Sequence, residues 1–137
     1  MIEKLSTEQI EGMFDAMPFQ LLFIDENDRV RYWNNSKARL LEPPEESLGK
    51  DVRACHKESS LPRLEKMLSD FKSGKKDEDE FWVINEDWGL KALNCFFAVR
   101  DTSGKYLGTL EYLLNFAYIN NIAEEKKDAY ISGSQSG

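Results

Sequence analysis

A chain of 137 residues is long enough for one domain that buries about two-thirds of its unfolded surface without disulfide or metal staples. Its 41% hydrophobic and 12% aromatic content supports a packed core and excludes a disordered composition. The formal net charge of -7 argues against nucleic acid as a partner, since phosphate binding needs clustered Lys and Arg, and Lys72, Lys75, Lys76, Lys126 and Lys127 all have acidic neighbours.

The first element starts at Ser6, an N-cap candidate with Gln9 at the capping-box spacing. Ile10, Met13, Phe14 and Met17 then fall at i, i+3, i+4 and i+7, on one helical face, and Pro18 stops the helix. Such a stripe has to be covered by a sheet or a second subunit, which makes these four residues the candidate dimer interface. A strand pair follows over 19–25 and 29–34, joined by a turn at 25–28, with Val30 and Tyr32 alternating against Arg31 and Trp33. Residues 35–58 carry no long periodic run and are broken by Pro43, Pro44 and Gly49, so they read as a loop-rich wall of short helices.

Leu61, Leu64, Met67, Leu68 and Phe71 mark a second helix, with Ser60 as its N-cap, Pro62 in its first turn and Gly74 at C′. The last third reads as a three-stranded meander over 79–84, 90–100 and 106–116, with turns at 85–89 and 101–104. Leu93, Cys95, Phe97 and Val99 alternate with Ala92, Phe96 and Ala98, so both faces of this sheet are apolar and both need cover. Residues 119–129 predict a short exit helix and 132–137 a polar, flexible tail. No apolar leader follows the first five residues, and the apolar stretch 19–24 falls well short of the roughly 20 residues that cross a bilayer. The expectation is a cytoplasmic protein with reduced thiols at Cys55 and Cys95.

That order of elements, with these residues, resembles the PAS family. FIDENDRVRYWNNSKARLL is similar to the PAS hairpin and the short helix after it, with Asn34 at the usual Asn position. PPEESLGKDV resembles the segment ending in Leu-Gly or Ile-Gly, and FAVRDTSGKYLGTLEYLL the final hairpin. The run EKMLSDFKSGKKDEDEFWV behind Cys55-His56 is similar to PAS modules of bacterial and archaeal proteins often joined to hemerythrin-like domains. The resemblance spans roughly residues 10–125. It implies an α+β fold: a five-stranded antiparallel sheet with helices on one face and the N-terminal helix on or near the other. The implied division is an amphipathic helix over 1–18, a PAS core over 19–117, and an exit helix with tail over 118–137. Two departures stand out. The Asp-Ile-Thr signature ending the last strand reads Asn115-Phe116-Ala117, and Pro62 stands where close relatives carry a second histidine. The first departs from the conventional coupling to a downstream helix, and any site needing both histidines is incomplete.

The resemblance also implies where a ligand would sit. Tyr32, Leu41, Val52, Leu64, Met67, Leu68, Trp82, Leu93, Cys95, Phe97, Leu110 and Tyr112 are the candidates for the volume between sheet and helices, which is either a cavity for a small apolar ligand or a closed core. His56, the single histidine, borders that region beside Cys55; it is either an axial heme ligand or a helix-capping imidazole. Covalent flavin chemistry is not expected, because the reactive cysteine position three residues after Gly49 is Val52, which leaves noncovalent flavin as the lesser cofactor alternative. Cys55 and Cys95 form a redox pair only if the fold brings them together, and otherwise pack. The acidic run 77–80 lacks a calcium-hand pattern, and one His with two separated Cys does not make a zinc set. No nucleophile motif, Walker loop or dinucleotide fingerprint occurs. The expected function is a sensory module, not an enzyme, that binds a ligand and relays it through a homodimer or a downstream partner. Two alternatives stay open: a ligand-free dimerisation module, and a small cone-shaped isomerase, which needs an ionisable group deep in a cleft.

Overall fold

The computed structural model describes residues 1–40, 42–85 and 90–136. Ser6 caps α1 (Thr7–Asp15) with the reciprocal pair the spacing predicts: its hydroxyl accepts from Gln9 N–H, and the Gln9 side chain accepts from Ser6 N–H. β1 (Gln20–Asp25) and β2 (Val30–Trp33) follow. Asp25 fixes their turn by accepting from the backbone N–H of Asn27 and Arg29 at 2.9 and 3.0 Å. Asp28 sits in that turn at φ 62°, a left-handed conformation that short polar side chains tolerate.

The wall after β2 consists of short 3-10 turns at Glu45–Ser47, Val52–Cys55 and Glu58–Ser60. It is laced to the outer edge of β2: Gly49 N–H donates to Val30 O at 2.7 Å, Val30 N–H to Lys50 O at 3.0 Å, and Val52 N–H to Asp28 O at 2.8 Å. Arg53 adds ion pairs to Asp28 at 2.9 Å, to Asp51 at 3.1 Å and to Glu65, and Lys72 reaches Asp28 at 2.8 Å. One charged knot thus joins the first hairpin, the wall and the next helix.

α2 (Leu61–Ser73) ends at Gly74, whose φ of 79° supplies the left-handed cap. Ser60 precedes it with helical φ and ψ and makes no side-chain cap, because the 3-10 turn runs straight into α2 and takes over the capping role. β3 (Glu78–Asn85), β4 (Leu90–Arg100) and β5 (Tyr106–Asn115) form the meander, and α3 (Phe116–Ser136) starts without a linker. The helix continues to Ser136, where the sequence predicts a flexible tail; once nucleated, each further residue adds a hydrogen bond.

The strands make one antiparallel sheet in the order β2-β1-β5-β4-β3. Its inner face packs Ile24, Val30 and Phe96 against Val52 of the wall and Leu64, Met67, Leu68 and Phe71 of α2. Each such burial is worth about 1.5–3 kcal/mol. Gly108 of β5 leaves no room for a side chain beside β1: a Cβ there would collide with Ile24 O and sit 2.6 Å from the Phe23 ring. On the outer face Tyr112 stands between Phe19 and Phe97, with ring centroids at 5.6 and 5.3 Å. α1 reaches the structure through Phe14, 5.7 Å from the Tyr32 ring.

Candidate functional site

Alternation decides what each row of the sheet can do. The inner row of β4 reads Ala92, Asn94, Phe96, Ala98, and that of β5 reads Thr109, Glu111, Leu113. Phe96 fills the space under α2. Ala92 and Asn94 are too small to fill theirs, and they line a cavity of about 710 Å³. Leu22, Val30, Leu113 and Val83 continue the sheet side of the lining, and Leu40, Pro43, Pro44, Ser47, Val52, Cys55 and His56 form the opposite wall. The volume falls in the range that holds drug-sized ligands.

Three polar side chains mark the sheet side. Gln20 is buried and accepts from Leu40 N–H at 3.3 Å, tying β1 to the wall. Asn94 donates through Nδ2 to Glu111 Oε1 at 3.1 Å, while its own Oδ1 is buried with no hydrogen-bond partner. Burial pushes the Glu111 carboxyl above the usual carboxylate range, and the Asn94 bond offsets part of that. His56 is half-buried, and burial lowers its pKa, so the imidazole is neutral at physiological pH.

The sequence candidates divide between two faces. Cys55, His56 and Val52 line the cavity. Leu64, Met67 and Leu68 are buried in the core and do not reach it. Tyr32, Leu93, Cys95, Phe97, Leu110 and Tyr112 belong to the opposite face of the sheet, out of phase with Ala92, Asn94 and Glu111. Trp82 shares that phase; it is 53% exposed and stacks on Phe116 at 5.5 Å. Leu41 lies outside the described residues. The physical reason for the inversion is that a cavity is the space that small side chains leave, so the row of bulky residues marks the other face. Gln20, Asn94 and Glu111 were not among the candidates. The signal for them was a carboxylate in the middle of the apolar strand Tyr106–Asn115.

Cys55 and Cys95 are both free, the first exposed at the cavity and the second buried on the far face, so they do not form a pair. Burial raises the pKa of the Cys95 thiol, and its hydrogen bond with Tyr112 opposes that. Within the proposed interface stripe, Ile10, Phe14 and Met17 are half-buried and Met13 is 54% exposed. Among the described residues no three His, Cys, Asp or Glu side chains gather to hold a metal ion, and no helix is long and apolar enough to cross a membrane.

Heme fits this lining at one point only. His56 and Cys55 offer iron a donor, but among the described residues the lining carries Glu42 and Glu111 and neither Lys nor Arg to meet the two propionates. The same lack of a cation leaves the phosphate of a flavin without a partner.

A small antiparallel sheet in the order 2-1-5-4-3, with short irregular helices over an inner cavity, is an α+β domain of the sensory type. The PAS domain profile matches residues 10–117, and the chain belongs to the PAS domain family. PAS domains are sensory and interaction modules, generally without catalysis. Among solved structures, the C-terminal domain of a Streptococcus mutans protein is similar at 25% identity, with a TM-score of 0.77 over 86% of this chain and 90% of that one. A PAS domain from Colwellia psychrerythraea matches at 15% identity and TM-score 0.57 over 79% and 94%. The PAS domain of BvgS from Bordetella pertussis matches at 14% and 0.55 over 88% and 92%. These last two share the fold. No curated protein sequence matches the chain.

Proposed function

We infer that this PAS domain is a sensor whose ligand occupies the cavity between the sheet and the wall formed by Leu40 and residues 42–56. The carrying observation is the cavity itself: about 710 Å³, largely apolar, with the Asn94–Glu111 pair on its sheet side. Ligand binding changes output only if one arrangement of sheet and wall binds better than another. The relay runs through contacts of a homodimer or a downstream partner, with Met13, exposed beside Phe14, as the dimer contact. The test is a thermal-shift screen of small amphiphiles against wild type and Ala92→Phe, which fills the cavity from the inner row of β4. Compounds that raise Tm in wild type should lose the effect in the variant. Equal shifts in both would place binding elsewhere, and no shift would favour a ligand-free dimerisation module. In light scattering, Met13→Glu should halve the mass; an unchanged mass removes α1 from the interface.

His56 is examined separately by titrating hemin into wild type and His56→Ala. The expected result is no saturable Soret band that depends on His56. A band saturating near one heme per chain and weakened in the variant would replace this reading with a heme sensor.

Glu111 favours a second reading, because it meets the requirement of a cone-shaped isomerase for an ionisable group in a cleft. PAS membership favours binding over catalysis. Deuterium uptake into cyclohexanone in heavy water, catalysed by wild type and abolished by Glu111→Gln, would reverse that order.

A further inference from the structure

We propose that the cavity selects an organic cation, an apolar body carrying one ammonium or amidinium head that docks on Glu111 and Asn94. The proposal deepens the ligand-binding reading and rests on it.

Charge comes first. Among the described residues the lining holds two carboxyl groups, Glu42 and Glu111, and no Lys or Arg, and its one imidazole is neutral. Glu42 is exposed and ion-paired to Arg39 at 3.5 Å, so Glu111 decides. A carboxylate or phosphate head beside it finds no countercharge and, once Glu111 ionises, meets like charge among apolar walls where screening by water is weak. Anionic ligands are therefore selected against as a class.

Hydrogen bonding points to the same chemistry. Glu111 and Asn94 stand diagonally on neighbouring strands, since Glu111 pairs with Phe96 and Asn94 with Leu113. Their mutual bond occupies Glu111 Oε1 and the Asn94 amide nitrogen. With Glu111 ionised, every remaining capacity of the pair is to accept: Asn94 Oδ1 has no partner, and the carboxylate has a second oxygen. An ammonium or amidinium head supplies several N–H donors together with the countercharge that lets Glu111 ionise. An alcohol supplies one donor and no charge. Leu22, Val30, Leu40, Val52 and Leu113 leave the rest of the ligand an apolar surface.

The test compares three probes of one chain length, hexylammonium, 1-hexanol and hexanoate, by amide chemical-shift titration at pH 7. Hexylammonium should bind at least tenfold more tightly than hexanol, as expected for a hydrogen bond to a charged group, and hexanoate more weakly than hexanol. Glu111→Gln should bring the ammonium-to-alcohol ratio near one while hexanol binding stays within about twofold. Hexanol or hexanoate binding as well as hexylammonium overturns the cation preference and leaves the cavity reading standing. So does a preference that survives Glu111→Gln. Shifts with none of the three probes overturn the cavity reading, and this inference with it. The wild-type ratios decide the matter without the variant should Glu111→Gln fold poorly.

Discussion

Asn34 offers the sharpest test of how the first hairpin is held. Its side chain is fully buried and commits both amide hydrogens and its oxygen to backbone groups. Oδ1 accepts from Leu21 N–H at 2.7 Å, and Nδ2 donates to Phe14 O at 2.8 Å and Phe19 O at 3.0 Å. One amide therefore ties the end of α1, the entry to β1 and β1 itself. Asn34→Ala leaves three polar groups without partners, each worth about 1–3 kcal/mol. The Leu21 N–H is buried and loses most, while the two carbonyls lie where water can partly replace the bond. A loss of about 4 kcal/mol follows, a large share of the roughly 5–15 kcal/mol that holds a domain together. Tm should fall by on the order of 10–15 °C. Urea unfolding followed by tryptophan fluorescence measures the loss, and hydrogen exchange at Leu21 N–H locates it. Asn34→Asp should keep the Leu21 bond but set an anionic oxygen against two carbonyls, so its deficit should shrink in acid. A loss below about 1 kcal/mol for Asn34→Ala would refute the claim that these bonds carry the anchoring.

Glu111 predicts a pH profile. Burial raises its pKa above the ordinary 4.5, so the folded chain holds a proton that the unfolded chain has released. Its contribution is therefore full below about pH 4.5 and is lost as pH rises through the folded pKa. Glu111→Gln should flatten that decline and exceed wild type in Tm at pH 8; matching profiles for the two proteins would contradict it. Gly108→Ala should cost about 3 kcal/mol or more in urea, because the new Cβ strikes backbone at Ile24 and φ 153° is strained for any side chain. A wild-type midpoint would mean β1 and β5 separate easily. In double-mutant cycles, Arg53 should couple to buried Asp28 by about 1.5–3 kcal/mol, and much more weakly to exposed Glu65. The reverse ranking would show that the knot acts at the surface.

Local chemistry made much of the fold legible. The capping box at Ser6, the stripe from Leu64 to Phe71 and Gly74 as a left-handed stop each have a short-range cause, and each stands where the sequence puts it. The wall was legible as irregular because Pro43, Pro44 and Gly49 interrupt any period. The cavity was harder. Period two separates Leu93, Cys95 and Phe97 from Ala92, Asn94 and Phe96, but it does not say which row faces the helices when both are apolar. The bulkier row was the natural choice for a ligand site, and it lies on the other face. The polar row was visible only as exceptions, Gln20, Asn94 and Glu111 among apolar neighbours. Helix length also escaped sequence reasoning, since 132–136 have weak intrinsic preference and continue a helix begun by residues that do not.

The junction at Asn115 and Phe116 has a mechanical consequence. β5 becomes α3 with no intervening residue, Asn115 Oδ1 receives Tyr118 N–H at 3.2 Å, and Phe116 is pinned under Trp82. A helix of 21 residues is about 31 Å long. Hinged at such a stiff fulcrum, it is a lever: a tilt of about 5° at its root sweeps the far end through roughly 3 Å, given a rise of about 1.5 Å per residue. Glu111 lies four residues before Asn115 on the same strand, so under the proposed ligand reading a small adjustment of β5 at the cavity would arrive amplified at the far end of α3.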